Sequence, residues 1–574
     1  MIAAGPTSAR LFAFRRLASC PLGLLGTGKL SLLSKGKLGF RLLRFSCGAG
    51  GGIMGIGSRP VVKDRVDLTE KEETIFRRLL DVVEHFKLDT QLRVAGGWVR
   101  DKLLGKDCYD IDIALDNMLG REFCEKVNEY LQFAGEEQQG IGVIQCNPDQ
   151  SKHLETARMR IYDTWIDFVN LRSESYAVNS RIPTMKFGSA KEDAYRRDLT
   201  INSLFYNINT TIVEDLTGRG IQDLKDGYID TPLPPRETFL DDPLRVLRAI
   251  RFGARFNFRL GEDLKEAASH EEVRAALTSK ISRERIGHEI DLMISGNQPV
   301  RALLHICDLQ IFYSIFTFPQ DPQPEISEGY ERICVSYLDA AWTLLHLIGY
   351  TSFTDEQKRH CLYGALFLPL RSTVYIDRKL KKIPVSSFII RNSIKLKAND
   401  AEMVASLHDA AQRFVFFFQL MESDAEPELT EVKLEDEFLD IPPTSRKRVL
   451  AGLLLREIKV YWRVALLIST LLSPIDKPVG DCLSKDSQRR KEIFKKIERT
   501  ITELDLDNVW AMKPLLDGKA IMGALQLQGG GPLVREWQQR MLKWQLAHPD
   551  ATAEECLDWM QQSQAKRAKL DCRT

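Results

Sequence analysis

The stretch Arg93 to Asp116, RVAGGWVRDKLLGKDCYDIDIALD, limits what this chain can fold into more than any other. Asp110 and Asp112 alternate with Ile111, Ile113 and Leu115, the period of a β-strand. That period sends both carboxylates to one face and the aliphatic side chains to the other. A short apolar-basic strand runs into Gly96-Gly97, and Trp98 to Leu104 predicts one or two turns of helix. Strand, glycine turn, short helix and strand together point to an α/β unit. Two carboxylates side by side repel each other unless a cation sits between them. Hard oxygen ligands of this kind suit Mg²⁺, which keeps waters and completes its shell with substrate phosphates. The glycine pair lets backbone approach a phosphate closely and offers N–H groups beside a helix start.

Taken alone, a Gly-Gly pair is an ordinary turn and DxD an ordinary solvated strand end. The joint pattern, GGxVRD followed about ten residues later by DxD on a strand, is far more specific. It resembles motif A of the nucleotidyltransferase superfamily, in the branch that holds class II CCA-adding tRNA enzymes and bacterial poly(A) polymerases. The resemblance implies an α/β nucleotidyltransferase (polymerase-β-like) head with a small mixed sheet, followed by an all-α neck, body and tail. The expected division is head 65–215, neck 216–300, body 301–440 and tail 441–574, after an N-terminal segment 1–60.

Residues 65–87 have helical periodicity with Ile75, Leu79, Leu80 and Val83 on one face. From 119 to 172 a helix (REFCEKVNEYLQ) alternates with short strands (GVIQC, LETARMRIY, WIDFVNLR), as a mixed sheet requires. Asp167 lies on the last of these, and two readings stay open for it: a third metal ligand or an exposed strand acid. Residues 173–195 are polar and turn-rich, which fits a mobile loop over a site. AYRRDLTINSLFYNI (194–208) matches the family's RRDxxxN motif. Asp198 is placed to cap a helix; the resemblance assigns Arg197 to a triphosphate and has Asn202 brace the site. Residues 215–232 are Gly-rich without a regular period and resemble motif C, a hinge.

DDPLRVLRAIRFGARF (241–256) is a helix opened by Pro243, with Arg245, Arg248, Arg251 and Arg255 on one face. Four like charges on one stripe repel each other, and a polyanion is the economical explanation. The stretch resembles motif D, EDxxR, with Asp241 at the Glu position. The resemblance makes Asp242 and Arg245 an amino-acid template for the incoming base. A carboxylate accepts from the exocyclic amino group of cytosine or adenine, and Arg donates to the neighbouring ring nitrogen. Uracil and guanine leave these groups unpaired. Residues 278–296 resemble motif E, with Ser282 as N-cap and Glu284 and Arg285 bracing the neck.

Beyond residue 300 the resemblance thins. Residues 300–420 read as long helices, and Arg371, Arg378, Lys379, Lys381, Lys382, Arg391, Lys395 and Lys397 form a candidate tRNA-facing patch or an ordinary charged surface. His408-Asp409 suggests a phosphohydrolase metal site, but no spaced partners accompany it among nine histidines. Residues 421–440 are an acidic, linker-like segment, and 445–469 return to helix. Trp537, Trp544 and Trp559 near the end read as core, not as a DNA-reading helix–turn–helix.

The formal net charge of +1 hides an asymmetry. Residues 1–63 carry ten Lys or Arg and no acid, leaving 70 basic against 79 acidic residues beyond, a net of −9. An RNA site must therefore be a local patch. The acid-free, Arg- and Ser-bearing N-terminus has the composition of a mitochondrial transit peptide, and a start at Met54 would give a cytoplasmic or nuclear form without it. Eleven cysteines without a CxxC pair read as reduced thiols. No apolar run reaches the ~18 residues of a membrane span.

The function implied by the resemblance is template-independent addition of CCA to the 3′ end of tRNA from CTP and ATP, with release of diphosphate. Asp110 and Asp112 would hold two Mg²⁺. Gly96, Gly97, Arg100, Arg197, Asn202, Arg248 and Arg251 would hold phosphates and ribose or brace them, and Asp242 with Arg245 would choose the base. The expected partner is tRNA, through its acceptor stem and TΨC arm, with neither DNA nor membrane. The rivals are a poly(A) polymerase, whose basic-aromatic stretch after motif A is missing here, and a partial enzyme adding only CC or only A. A third is an inactive tRNA-binding protein.

Overall fold

A computed structural model describes residues 60–144, 156–176, 183–320, 324, 327–377, 379–422, 441–472, 486–527 and 529–571. The expected transit segment, Met54, Arg378, most of the acidic segment 421–440 and the middle of the 173–195 stretch lie outside the described residues.

Helix α1 (Glu70–His85) begins where Thr69 accepts from the Glu72 amide while the Glu72 carboxylate reaches back to the Thr69 amide, a reciprocal cap. Its buried stripe is Ile75, Phe76, Leu79 and Val82, so Leu80 and Val83, expected there, flank it half-buried. Strand β1 (Leu92–Ala95), helix α2 (Gly97–Leu103) and strand β2 (Ile111–Leu115) follow in the order the sequence predicts. Helix α3 (Gly120–Phe133) leads to strands β3 (Ile141–Ile144), β4 (Thr156–Ile161) and β5 (Thr164–Asn170).

Residues 173–195 differ from the expected loop. Strands β6 (Arg172–Tyr176) and β7 (Pro183–Phe187) pair as an antiparallel hairpin, and helix α4 (Ala190–Tyr195) follows, capped by Ser189. The hairpin forms a separate two-stranded ribbon with no alternating apolar face, so its sequence carried no strand period. A 3₁₀ turn at Thr200–Asn202 precedes β8 (Phe205–Asn207) and β9 (Ile212–Glu214).

The head sheet runs β3-β4-β5-β2-β1-β8-β9. Strands β2 and β5 are parallel and every other neighbour is antiparallel, so the sheet is mixed as expected. Ile111, Ile113, Ile166 and Phe168 join the main core, with Phe123 of α3 against Phe168. Ala95, Ala114, Ala194 and Phe205 make a smaller cluster of their own. Ala114 continues the face of Asp110 and Asp112, and there the face is closed over by this apolar cluster.

The neck opens with helix α5 (Gly220–Asp226) and strand β10 (Tyr228–Ile229), inside the stretch expected to be irregular. The Asp215 carboxylate accepts from the amides of Gly218 and Ile221 and so starts the helix without an apolar period. Helices α6 (Pro235–Asp241) and α7 (Leu244–Phe256) meet at Asp242-Pro243. Strand β11 (Arg259–Leu260) pairs in parallel with β10, a small exception to an all-α neck. Helices α8 (Glu262–Ser269), α9 (Glu271–Lys280) and α10 (Arg283–Ile294) complete it. Ser282 holds the N-cap position of α10, although its side chain makes no capping bond.

Among the described residues, the body and tail are helical apart from a hairpin of Val374–Ile376 with Lys382–Pro384. The main core runs on through both, and Trp537, Trp544 and Trp559 form a satellite core with Ile521 and Met541. His408 is buried and its Nε2 sits 2.7 Å from the Gly364 carbonyl, while Asp409 pairs with Arg413. The pair therefore builds no metal site. No helix among the described residues is long and apolar enough to cross a membrane.

Candidate active site

Carboxylate oxygens of Asp110, Asp112 and Asp167 lie within 4.8 Å of one another. Parallel pairing of β2 with β5 sets Asp112 beside Asp167, and Asp110 extends the row one step before β2. Asp167 stands in the cluster and is half-buried, which departs from the reading of it as an exposed strand acid. No other group of three metal-ligating side chains occurs among the described residues. Burial, and then the charges of Asp110 and Asp167, push the Asp112 carboxyl up to about 6. Neither Asp110 nor Asp112 has an ion-pair partner among the described residues, whereas Asp167 is gripped by Arg158. Crowded carboxylates short of positive charge are the donor set that a hard divalent cation fits.

The raised Asp112 pKa has a consequence for stability. Folding disfavours its charged form, so its destabilising contribution is absent below the unfolded pKa of 3.8 and grows as pH rises to about 6. Asp112→Asn is therefore expected to stabilise the metal-free protein by ~3 kcal/mol at most above pH 7, and to change little near pH 4. Denaturant unfolding in EDTA at both pH values checks this. Adding Mg²⁺ should stabilise only the wild type.

Within the glycine turn, Gly96 has a structural use of its own. Gly96 has φ +74° and ψ −119°, a conformation reserved for glycine, and its amide donates to the Leu204 carbonyl. A Cβ there would lie 2.7 Å from Nη1 of Arg197. The Gly96 amide is thus occupied, and the missing side chain makes room for an arginine. Gly96→Ala is expected to cost about 1–3 kcal/mol and to raise KM for nucleotide by displacing Arg197. Thermal melts together with nucleotide titrations separate the two effects.

Arg197 is held by Asp193 at 2.8 Å and lies over the Phe205 ring, with 19% of its side chain exposed. Asp193, almost fully buried, also holds Arg196, which Glu174 contacts from the other side at 3.0 Å. Burial lowers the Arg196 pKa to about 10. Asn202 accepts from Arg100 and donates to Asp198, linking the two. Asp198 does not cap a helix. It accepts from the amide of its neighbour Leu199 and pairs with Arg248 at 2.7 Å. Burial alone would raise its pKa, but Arg248 and the Asn202 hydrogen bond bring it down to about 2.

Arg100 is 3% exposed, bound to Asp101 and Asn202 and stacked over Phe252 and Phe256. It ties the head to α7 and is not presented to a phosphate. The arginine stripe of α7 also differs from the expectation of charge awaiting a polyanion. Arg248 meets Asp198, Arg251 meets Glu289 of α10, Arg255 meets Asp101, and Arg245 approaches Glu174 and donates to the Arg196 carbonyl. Arg248 keeps about a third of its side chain exposed, and Arg251 much less. Asp242 accepts from Leu244 and is held by Arg285 at 3.2 Å, so Arg285 touches a site residue besides bracing the neck. Gly97 opens α2 beside Arg100.

Asp193, Glu174, Glu289 and Arg158 escaped the sequence reading. Asp193 alone left a local signal, standing three and four residues before Arg196 and Arg197 on a helix.

Residues 92–230 match the poly A polymerase head domain family. The tRNA nucleotidyltransferase cca2 of Schizosaccharomyces pombe is 32% identical over 504 residues, covering 86% of this chain and 98% of that one. The mitochondrial CCA tRNA nucleotidyltransferase of Saccharomyces cerevisiae is 33% identical over 534 residues, covering 86% and 93%. The chain belongs to the CCA tRNA nucleotidyltransferase family. Its fold agrees with the family's solved structures. A CCA-adding enzyme in apo form II superposes with a TM-score of 0.58 at 19% identity, over 86% of this chain and 95% of that one. The Bacillus stearothermophilus CCA-adding enzyme in complex with CTP gives 0.55 at 18%, over 86% and 98%. Asp110, Asp112 and the RRD segment fall within the matched residues 92–230, and the Asp242–Arg245 turn follows shortly after them.

Proposed function

We propose that this chain adds C, C and A in turn to the 3′ end of tRNA, using CTP and ATP and releasing diphosphate at each step. The observation that carries the reading is the convergence of Asp110, Asp112 and Asp167 on one sheet face, in a chain whose relatives are named for CCA addition to tRNA.

The tRNA 3′-hydroxyl attacks the nucleotide α-phosphate, and diphosphate leaves in line. Two Mg²⁺, held by Asp110 and Asp112 with Asp167 beside them, would lower the pKa of that hydroxyl and neutralise the leaving group. No side-chain general base is assigned. Asp193 fixes Arg197 at the rim of the site, where its remaining donors meet the triphosphate. Gly96 leaves the space that Arg197 needs, and Gly97 starts the adjoining helix. Arg100 and Asn202 act from behind, tying the head to α7, while Arg248 and Arg251 fix α7 against Asp198 and Glu289 and so set where Asp242 and Arg245 stand.

Asp242 accepts from the exocyclic amino group and Arg245 donates to the ring nitrogen beside it, which passes cytosine and adenine. The head at 65–215 performs the transfer and the neck at 216–300 selects the base. The helical body at 301–440 and tail at 441–574 carry the acceptor stem and TΨC arm, with the basic positions from Arg371 to Lys397 as the contact surface. The acid-free N-terminus directs the chain to mitochondria, and a start at Met54 supplies a cytoplasmic or nuclear form.

The selection step is tested with a tRNA ending in CC, offered each of the four nucleoside triphosphates alone with Mg²⁺. ATP should be incorporated, and UTP and GTP should fail by at least ~100-fold. Comparable use of UTP or GTP would contradict the Asp242–Arg245 template.

A further inference from the structure

We propose that Arg158 is the resident counter-ion of the third carboxylate. Before metal and nucleotide arrive it holds Asp167; when they bind, it releases Asp167 and takes a phosphate oxygen of the nucleotide. The inference rests on reading Asp110 and Asp112 as metal ligands.

The register of β4 on β5 places Arg158 directly opposite Asp167. Its Nε donates to Oδ1 at 2.6 Å and its Nη2 to Oδ2 at 2.9 Å, so both oxygens of Asp167 are engaged by one planar fork. One of those oxygens lies within 4.8 Å of a carboxylate oxygen of Asp110 and of Asp112. A divalent ion drawing on Asp167 would sit within a few ångströms of the guanidinium, where like charges repel strongly. Arg158 and a metal therefore compete for Asp167.

Three arginines of the site are unavailable for this part. Arg100, Arg196 and Arg251 are largely buried and locked to Asp101, Asp193 and Glu289. Arg158 instead has 44% of its side chain exposed and, among the described residues, Asp167 as its acidic ion-pair partner. Its neighbour on the other flank, Gly142 of β3, carries no side chain, which leaves room for a second position of the long arginine. A guanidinium that fits a carboxylate with two parallel bonds fits a phosphate equally well. The nucleotide thus brings both the metal that displaces Arg158 and the anion that receives it.

Mn²⁺ binding to the full chain without nucleotide, followed by electron paramagnetic resonance or calorimetry, tests this alongside KM for CTP and ATP. Arg158→Gln should bind Mn²⁺ about threefold to tenfold more tightly than wild type, while KM for both nucleotides rises about tenfold. Arg158→Lys, which keeps charge and bulk but not the fork, should change both by less. In an Asp167→Asn background, Arg158→Gln should no longer alter Mn²⁺ affinity. Tighter metal binding with weaker nucleotide binding is an outcome that mere loss of structure does not produce, and melting temperatures verify that each variant is folded. Unchanged or weaker Mn²⁺ binding by folded Arg158→Gln, with wild-type binding abolished by Asp110→Asn, would overturn the exchange and leave the metal site standing. Absence of any Asp110-dependent Mn²⁺ binding in the wild type would overturn both.

Discussion

Asp110→Ala is expected to lower nucleotide transfer by more than about 1,000-fold while leaving tRNA affinity within about threefold of wild type. The asymmetry follows from where the residue stands. Asp110 is an exposed acid beside β2 with no ion pair among the described residues, so its removal breaks no internal contact and relieves repulsion on Asp112. The fold should be unchanged or slightly more stable. What would disappear is one corner of the proposed cation site, and with it the charge stabilisation of an in-line displacement. Single-turnover incorporation combined with filter binding of tRNA measures both quantities. Near-normal turnover by the variant would remove Asp110 from the metal site.

Asp193→Ala is expected to destabilise the protein by about 3–5 kcal/mol, the largest stability loss of any single change in the site. Asp193 is 1% exposed and compensates two arginines, with Arg196 itself 16% and Arg197 19% exposed. Removing it strands two charges in a low-dielectric setting, and Glu174 can answer only one of them. Arg197 would swing away from Phe205, so whatever protein remains folded should show weaker nucleotide binding. Asp193→Asn, which keeps the shape and part of the hydrogen bonding, should lose less. Chemical unfolding of both variants provides the comparison, and a loss below about 1 kcal/mol for the alanine variant would show that Arg196 and Arg197 do not depend on this acid.

How much of this was legible in the sequence depended on whether partners were local. The DIDIAL alternation identified the strand and its acidic face because strand period needs only neighbouring residues. Asp167 was visible as a strand acid, but its place in the cluster required knowing that β5 runs parallel to β2 in matching register. The arginine stripe of α7 is legible in the sequence as one helix face, but the acids that meet it are not. Its acids are far off in sequence, Asp198 being 50 residues from Arg248 and Glu289 38 from Arg251. Arg100 looked like an anion contact from its place after the glycine turn; the aromatic pair that covers it lies on α7, over 150 residues later. The hairpin of β6 and β7 and the helix α5 were hidden for another reason, since both are set by polar backbone and side-chain bonds that leave no hydrophobic period.

The measurement that tests the account most directly is nucleotide incorporation into tRNAs ending at the discriminator base, in C and in CC, with CTP, ATP and Mg²⁺, resolved at single-nucleotide length. The expected additions are C-C-A, C-A and A respectively, each stopping at CCA. A long ladder of A, addition of only CC or only A, or tight tRNA binding without any product would contradict it.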